Sequence, residues 1–168
     1  FDASFGYILE TEDLELRQAE FDDWKPMYEN VWRHESAARY MLWDVTTSEE
    51  EAQDRIRRTI RYQLNGGLSF IVTADGEPIG FAGVMERSPG VYEDTGGCLG
   101  PDFQRKGYGK QMLGLALRFA FDILKVQKVT LGVLENNPGA YHCYKAAGFR
   151  DVHMDEPEYY HLMGEKIK

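Results

Sequence analysis

Residues 104–110 read Gln104-Arg105-Lys106-Gly107-Tyr108-Gly109-Lys110 and lead into an apolar segment that runs from Tyr108 to Leu124. Its two glycines let backbone N–H groups turn toward a ligand. A helix that begins here adds about half an elementary positive charge at its N-terminus. With three cationic side chains alongside, the segment suits a pyrophosphate. The same residues are also compatible with a tight turn among solvated charges, so on their own they leave both interpretations open.

Two better-known phosphate-binding loops do not match this segment. A Walker A loop requires an earlier glycine where Gln104 stands and a Ser or Thr where Gln111 stands. A dinucleotide-binding loop requires a third glycine where Met112 stands. The segment therefore belongs to neither class.

A second segment, residues 137–149, reads Asn137-Pro138-Gly139-Ala140-Tyr141-His142-Cys143-Tyr144-Lys145-Ala146-Ala147-Gly148-Phe149. An Asn cap, Pro in the first turn and a closing Gly148 predict a helix. Together the two segments resemble the GNAT superfamily of acyl-CoA-dependent N-acyltransferases. The first matches its Q/R-x-x-G-x-G/A pyrophosphate loop. The second matches its N-x-x-A-x-x-x-Y-x-x-x-G-F helix through Asn137, Ala140, Tyr144, Gly148 and Phe149.

The pattern outside the two segments fits the same superfamily. Hydrophobic periodicity predicts the order β-α-α-β-β-β-α-β-α-β-β. The predicted strands are residues 14–17, 68–74, 78–84, 92–99, 128–133, 149–153 and 159–163, and the predicted helices start after Asp22–Asp23, Ser48, Gly107 and Asn137. Gly96-Gly97 indicates a bulge or a close backbone approach in the fourth strand. We expect one α/β domain over residues 1–168, with a mixed, mostly antiparallel sheet, a parallel splayed pair in its middle and flanking helices.

The opening Leu14-Glu15-Leu16-Arg17, the early pair of helices and the length resemble the RimJ/RimL-type branch, which acetylates ribosomal-protein N-termini. The resemblance implies acetyl-CoA as co-substrate, with the pantetheine arm inserted between the splayed strands like an added strand. The cofactor-binding residues that it implies are Cys98, Leu99, Gly100, Gln104, Arg105, Lys106, Gly107, Tyr108, Gly109, Lys110, Asn137 and Tyr144. For Asn137, a purely structural role as helix cap is the alternative.

The resemblance makes Tyr144 the general acid. A phenol with a pKa of about 10 can protonate a departing thiolate whose own pKa is about 8.5, if the two groups are within hydrogen-bond reach. Without the resemblance, the favoured interpretation of Tyr144 is a core aromatic that packs on the sheet. The candidate bases are Glu93, Asp94 and Glu135, with a water chain as the alternative. Alternation along the strand lets only one of Glu93 and Asp94 point into the cleft.

Charge is distributed unevenly along this acidic chain, whose net charge is −9. Residues 1–100 contain 20 acidic and 9 basic side chains, whereas residues 101–150 contain 3 and 8. The acidic part argues against a nucleic-acid partner and suits a cationic acceptor. The basic part suits an anionic cofactor. Only two cysteines and no metal-ligand spacing occur, and no apolar run is long enough for a membrane span.

From these observations we predict a cytoplasmic N-acetyltransferase that acts on a primary amine, either a protein N-terminus or a small-molecule amine, without a metal. It would function as a monomer or homodimer. The alternatives are a polyamine or antibiotic acetyltransferase, a non-catalytic acyl-CoA sensor and a nucleotide-binding regulator. The acceptor itself is not specified by the sequence.

Overall fold

The computed structural model describes residues 7–39, 43–94, 97–134, 137–154 and 161–167. Its strands are β1 (Leu9–Glu10), β2 (Leu14–Arg17), β3 (Leu68–Ala74), β4 (Glu77–Ser88), β5 (Val91–Asp94), β6 (Cys98–Leu99), β7 (Lys128–Leu134), β8 (Arg150–Met154) and β9 (His161–Ile167). Its helices are α1 (Trp24–Met27), α2 (Glu35–Ala38), α3 (Glu49–Leu64), α4 (Tyr108–Arg118) and α5 (Pro138–Ala146). Short 3-10 turns (Phe21–Asp23 and Pro101–Phe103) and π turns (Tyr28–Trp32 and Phe119–Ile123) adjoin α1, β6 and α4.

A single sheet joins these strands in the order β1-β2-β3-β4-β5-β7-β9-β8, with β6 also paired to β4. All described pairs are antiparallel except β5 with β7. Asp75 and Gly76 both have positive φ, 51° and 78°, as the predicted two-residue hairpin turn requires. The predicted fold class, a mixed sheet with a parallel pair in its middle, is confirmed.

The fourth predicted strand is wrong as one continuous strand, because the structure divides it into β5 and β6. Both pieces pair with β4. Between the pairs Val84–Asp94 and Phe81–Cys98, β4 advances by three residues and the other strand by four. One extra residue on one side of an antiparallel pair is what a β-bulge requires, so the flanking register is compatible with the bulge expected at Gly96-Gly97. Residues 95 and 96 themselves lie outside the described part.

The parallel pair is short, and its strands then separate. β5 pairs with β7 from Val91–Lys128 to Glu93–Thr130. Beyond this point β7 continues along β9, whereas β6 follows β4. The predicted splayed pair is therefore present, and it opens a gap on the α4 and α5 side of the sheet.

Helix caps agree with the sequence at α3 and α5, and at α1 in position only. The Ser48 hydroxyl accepts a hydrogen bond from the Glu51 N–H at 3.1 Å, as the capping-box pattern predicts. Asp23 is the N-cap residue of α1, as predicted, but its side chain makes no cap hydrogen bond there; a 3-10 turn precedes α1, and its N-cap is Glu20. Asp23 is instead buried beside Arg17, which donates to its two carboxylate oxygens at 2.8 Å each. This ion pair holds the first turn against β2.

The core has a cluster on each face of the sheet. On one face, Phe70 and Phe119 stack edge to face with their ring centroids 5.2 Å apart, which fixes α4 on β3. On the other, Ile56 of α3 and Val31 are completely buried against Ile71 of β3. Among the described helices, none is both long and apolar enough to cross a membrane.

Gly80 is a point where β4 and β6 approach too closely for any side chain. A Cβ atom there would lie 2.2 Å from the carbonyl oxygen of Cys98, so the backbone would have to shift. We expect Gly80→Ala to lower the free energy of unfolding by about 2–3 kcal/mol, measured by urea denaturation. The matched control is Gly114→Ala in α4, where a Cβ meets no atom within 4 Å. That variant should gain about 0.5–1 kcal/mol through helix propensity. Equal stability of the two variants would contradict this account.

Candidate active site

A cavity of about 580 Å³ lies where the strands separate, between α4 and α5. Eight of the residues predicted for the site line it: Cys98, Leu99, Gln104, Arg105, Gly107, Gly109, Asn137 and Tyr144. Four other predicted residues are not among its lining: Gly100, Lys106, Tyr108 and Lys110. We call this space the interstrand cavity. Its lining brings together the two segments that the sequence singled out.

One end of the interstrand cavity is formed by the loop before α4. Arg105 and Gly107 both have positive φ, 63° and 78°, which turns successive peptide groups in opposite directions. Gly107 is the N-cap of α4, and a Cβ on Gly107 or Gly109 would meet no atom within 4 Å. The loop thus presents backbone and the positive end of a helix to open space, the arrangement expected of an anion site. No sequence pattern predicts that Arg105 adopts a backbone conformation usual for glycine.

Along the cavity wall, the hydrogen-bond pattern between β4 and β6 leaves the backbone groups of Leu99 facing the gap. The Gly100 N–H donates to the Ile79 carbonyl at 2.8 Å, so it points toward β4. Hydrogen-bonding direction alternates along an antiparallel ladder. Cys98, like Gly100, therefore turns its backbone groups to β4, while Leu99 turns its own away from β4. Of the three backbone positions predicted to pair with pantetheine, the geometry favours Leu99. Its carbonyl already accepts a hydrogen bond from Gln104 Nε2 at 3.2 Å.

Tyr144 lines the cavity from α5. Its ring packs edge to face on Phe149, with centroids 5.9 Å apart, which fixes the direction of the side chain. Burial raises the pKa of Tyr144 strongly, and the negative charge of Asp94 raises it further. The phenol is therefore protonated at neutral pH and can donate a hydrogen bond into the cavity.

The candidate bases occupy different places. Asp94 lines the interstrand cavity, whereas Glu93 is not among its lining residues and forms an ion pair with Arg87. Alternation along β5 explains the difference. Placement therefore favours Asp94 over the predicted Glu93 as the carboxylate at the cavity. Glu135 lies outside the described residues. Asn137 caps α5 by accepting from the Ala140 N–H at 3.4 Å while also lining the cavity.

Neither cysteine is arranged as a nucleophile. The Cys98 thiol donates to the Ala37 carbonyl at 3.5 Å, and burial raises its pKa to about 12. Cys143 is half-buried, and burial raises its pKa as well. A thiol becomes nucleophilic as a thiolate, so raised pKa values make both groups inert at neutral pH. Among the described residues, no group of three potential ligands is placed to hold a metal ion.

A comparison of the sequence with models of known protein families gives a match. The model of the acetyltransferase (GNAT) domain matches residues 13–150, most of the chain. The chain belongs to the GNAT family. The resemblance carried by residues 104–110 and 137–149 is thus confirmed.

Relatives of this GNAT protein include two kinds of acetyltransferase. A spermidine N(1)-acetyltransferase from Vibrio cholerae is 37% identical over 51 residues, which is 30% of each chain, so the chain matches less than a third of that relative's length. The solved spermidine N-acetyltransferase of Vibrio cholerae, in complex with CoA and spermine, has a TM-score of 0.75 and 23% identity, covering 92% of this chain and 94% of that one. RimL, the ribosomal L7/L12 α-N-protein acetyltransferase, in complex with CoA, has a TM-score of 0.82 and 18% identity, covering 96% and 98%.

Several residues that line the interstrand cavity of the GNAT protein were not predicted by any sequence pattern. Met112 and Ala116 line it because they lie on the inward face of α4, and Ser36 and Ala37 come from a short helix that no periodicity predicts. Cys143 is next to Tyr144 and also lines the cavity. Only the register of the sheet and the direction of α4 bring these residues to one place.

Proposed function

We propose that this GNAT protein transfers the acetyl group of acetyl-CoA to a primary amine. The observation that carries the proposal is the interstrand cavity, with the glycine-containing loop before α4 at one end and the half-buried, protonated Tyr144 in its wall. Two solved structures of the same fold, the spermidine N-acetyltransferase and RimL, are complexes with CoA. The basic segment of the sequence, residues 101–150, contributes both the loop and the tyrosine-bearing helix.

In the proposed reaction the amine attacks the thioester carbonyl carbon directly. The C–N bond forms as the C–S bond breaks, and the departing thiolate takes the phenolic proton of Tyr144. The new amide nitrogen loses its extra proton, which returns to Tyr144 through Asp94 or water. The Leu99 backbone aligns the pantetheine arm, and the 104–110 loop binds the pyrophosphate. Catalysis then depends on proximity and on the acid, without a covalent enzyme intermediate.

The attacking amine must be neutral. An α-amine with a pKa of about 7.7–8.0 is partly neutral at physiological pH, whereas a lysine amine with a pKa near 10.4 is almost entirely charged. Among the described residues that line the cavity, Asp94 is the one carboxylate, and it shares the cavity with Tyr144, so the site suits an α-amine better. We propose a peptide or protein N-terminus, or a small molecule with an amine of similar pKa, as the acceptor class.

The test is a CoA-release screen of the purified protein across peptide N-termini, lysine peptides, polyamines, aminoglycosides and amino acids. Turnover with at least one amine and acetyl-CoA supports the proposal. The absence of turnover with every amine, together with a higher melting temperature in acetyl-CoA, would favour the non-catalytic sensor. Stabilisation by ATP or NAD but not by CoA would favour a nucleotide-binding regulator.

A further inference from the structure

A second cavity of about 580 Å³ lies on the opposite face of the sheet, next to α3. We call it the Arg55 cavity, after the arginine in its wall; Trp32, Trp43 and Phe81 also line it. Successive residues of β4 separate the two spaces, since Phe81 lines the Arg55 cavity and Ala82 lines the interstrand cavity. Arg55 interacts electrostatically with Cys98, which lines the interstrand cavity, so the two spaces lie close together.

The guanidinium of Arg55 is held between two indole rings. Its central carbon lies 4.7 Å from the centroid of the Trp32 ring and 4.6 Å from that of Trp43. Aromatic contacts of this kind cover the faces of a planar guanidinium and leave its N–H donors at the edge. One edge donor reaches the Thr46 hydroxyl at 3.3 Å. A guanidinium has five donors, so the contact with Thr46 uses only a part of its capacity.

Arg55 has no anionic partner among the described residues. Its helical neighbour Glu51, one turn earlier, is bound instead by the N–H and hydroxyl of Thr47 at 2.8 and 3.0 Å. Arg17 provides the contrast within the same molecule, because it shares two hydrogen bonds with Asp23 and that contact raises its pKa. The pKa of Arg55 is lowered to about 10, mainly by burial and then by the charge of Arg58.

The Arg55 cavity contains buried donors and charges of both signs, since Asp44, Glu51 and Arg58 also line it. Within the described part of the chain, the indole N–H groups of Trp32 and Trp43 are buried without a hydrogen-bond acceptor, and Trp32 is only 2% exposed. An indole offers a donor and no acceptor. Burying donors and a cation without partners costs free energy, which a bound anion recovers. Retention of such a cluster beside a cavity points to a ligand that carries the missing acceptor.

We propose that the Arg55 cavity binds a carboxylate carried by the acceptor amine. The acceptor is then an amino acid or a peptide with an acidic group, and not a simple polyamine, which has only cationic groups. This inference rests on the proposed acetyl transfer and narrows its substrate class. A carboxylate fits the edge of a guanidinium through two parallel hydrogen bonds. The acidic side chains of the first 100 residues then attract the amine of the acceptor, while Arg55 binds the carboxylate of the same molecule.

The first test compares acceptors that differ in one group, a carboxylate against the corresponding carboxamide, in the CoA-release assay. Hydrogen bonds to charged groups change affinity by roughly a factor of ten to a hundred. We expect the wild type to prefer the carboxylate by about tenfold or more in kcat/KM, and Arg55→Met to lose that preference. Arg55→Lys should keep a part of it. The control Arg61→Met removes the same charge from an exposed position of α3 and should keep the full preference.

The second test needs no turnover and so separates this proposal from the proposed function. Succinate is titrated into the wild type and Arg55→Met at constant ionic strength, with melting temperature and tryptophan fluorescence as readouts. Stabilisation of the wild type but not of Arg55→Met supports the site, even if no amine is ever acetylated. Equal responses of the two proteins, or a wild type that prefers carboxamides, would overturn it. Stabilisation by inorganic phosphate but not by succinate would assign the cavity to phosphate and also overturn it.

Discussion

Replacing Tyr144 with Phe is expected to lower kcat by about 100-fold or more, because general acid catalysis contributes roughly 10²–10⁴ to a rate. The change removes the phenolic proton but keeps the ring that packs on Phe149. The KM for acetyl-CoA should change little, because the change leaves intact the 104–110 loop and the Leu99 backbone, which we propose bind the cofactor. The measurement is the initial rate of thiol release at saturating acetyl-CoA and acceptor.

Tyr141→Phe is the matched control for this experiment. Tyr141 lies on the same helix, but its hydroxyl donates to Asp151 at 2.9 Å, and it is not among the residues that line the interstrand cavity. We expect near wild-type kcat for Tyr141→Phe. If Tyr144→Phe keeps wild-type turnover while Tyr141→Phe does as well, the leaving thiolate takes its proton from another source.

The raised pKa of Tyr144 also predicts the form of the pH profile. Because burial and Asp94 raise that pKa well above 10, the phenol stays protonated through the alkaline range. The rate should rise as the acceptor amine loses its proton and then stay level, without a fall near pH 10. The raised pKa also makes the phenol a weaker acid, so proton transfer to the leaving sulfur requires a direct hydrogen bond between the two groups. A fall in kcat well below pH 10 would contradict this assignment.

Sequence patterns predicted the elements better than the contacts between them. The hairpin at Asp75–Gly76 and the cap at Ser48 depend on neighbours in the chain, and both are confirmed. Asp23 is the N-cap residue of α1, as predicted, but its carboxylate binds Arg17 of β2 and does not cap the helix, a contact that local propensity cannot foresee. The sequence likewise left Glu93 and Asp94 equivalent until the ladder placed only Asp94 at the interstrand cavity.

Contacts between distant parts of the chain also explain why no sequence pattern indicates a role for Arg55. It lies on a helix rich in arginine and glutamate, where a charge is usually solvated. Its environment is created by Trp32, Trp43 and Thr46, which approach it from other parts of the chain. Motifs identify residues that act through backbone shape or chain spacing, such as Gly107. They miss residues whose role depends on tertiary burial.

A carboxylate at Gly109 is expected to weaken acetyl-CoA binding by about 100-fold. Gly109 lines the interstrand cavity at the start of α4, and its Cβ position meets no atom within 4 Å, so Gly109→Asp fits the folded protein. The new charge would face the proposed pyrophosphate site. Like charges about 4 Å apart repel by about 1 kcal/mol in water and about 4 kcal/mol near a protein surface, and each 1.4 kcal/mol corresponds to about a factor of ten. Calorimetric titration with acetyl-CoA measures the loss.

Loss of stability cannot explain that result, because the substitution favours the helix. Asp in the first turn interacts well with the helix dipole and replaces the flexible glycine, so the melting temperature of Gly109→Asp should be equal to or above that of the wild type. The control Gly114→Asp places the same charge on the exposed side of α4, where its Cβ also meets no atom within 4 Å. It should bind acetyl-CoA as the wild type does. If both variants bind acetyl-CoA normally, the pyrophosphate does not lie at the 104–110 loop, and the cofactor must enter the interstrand cavity in another orientation.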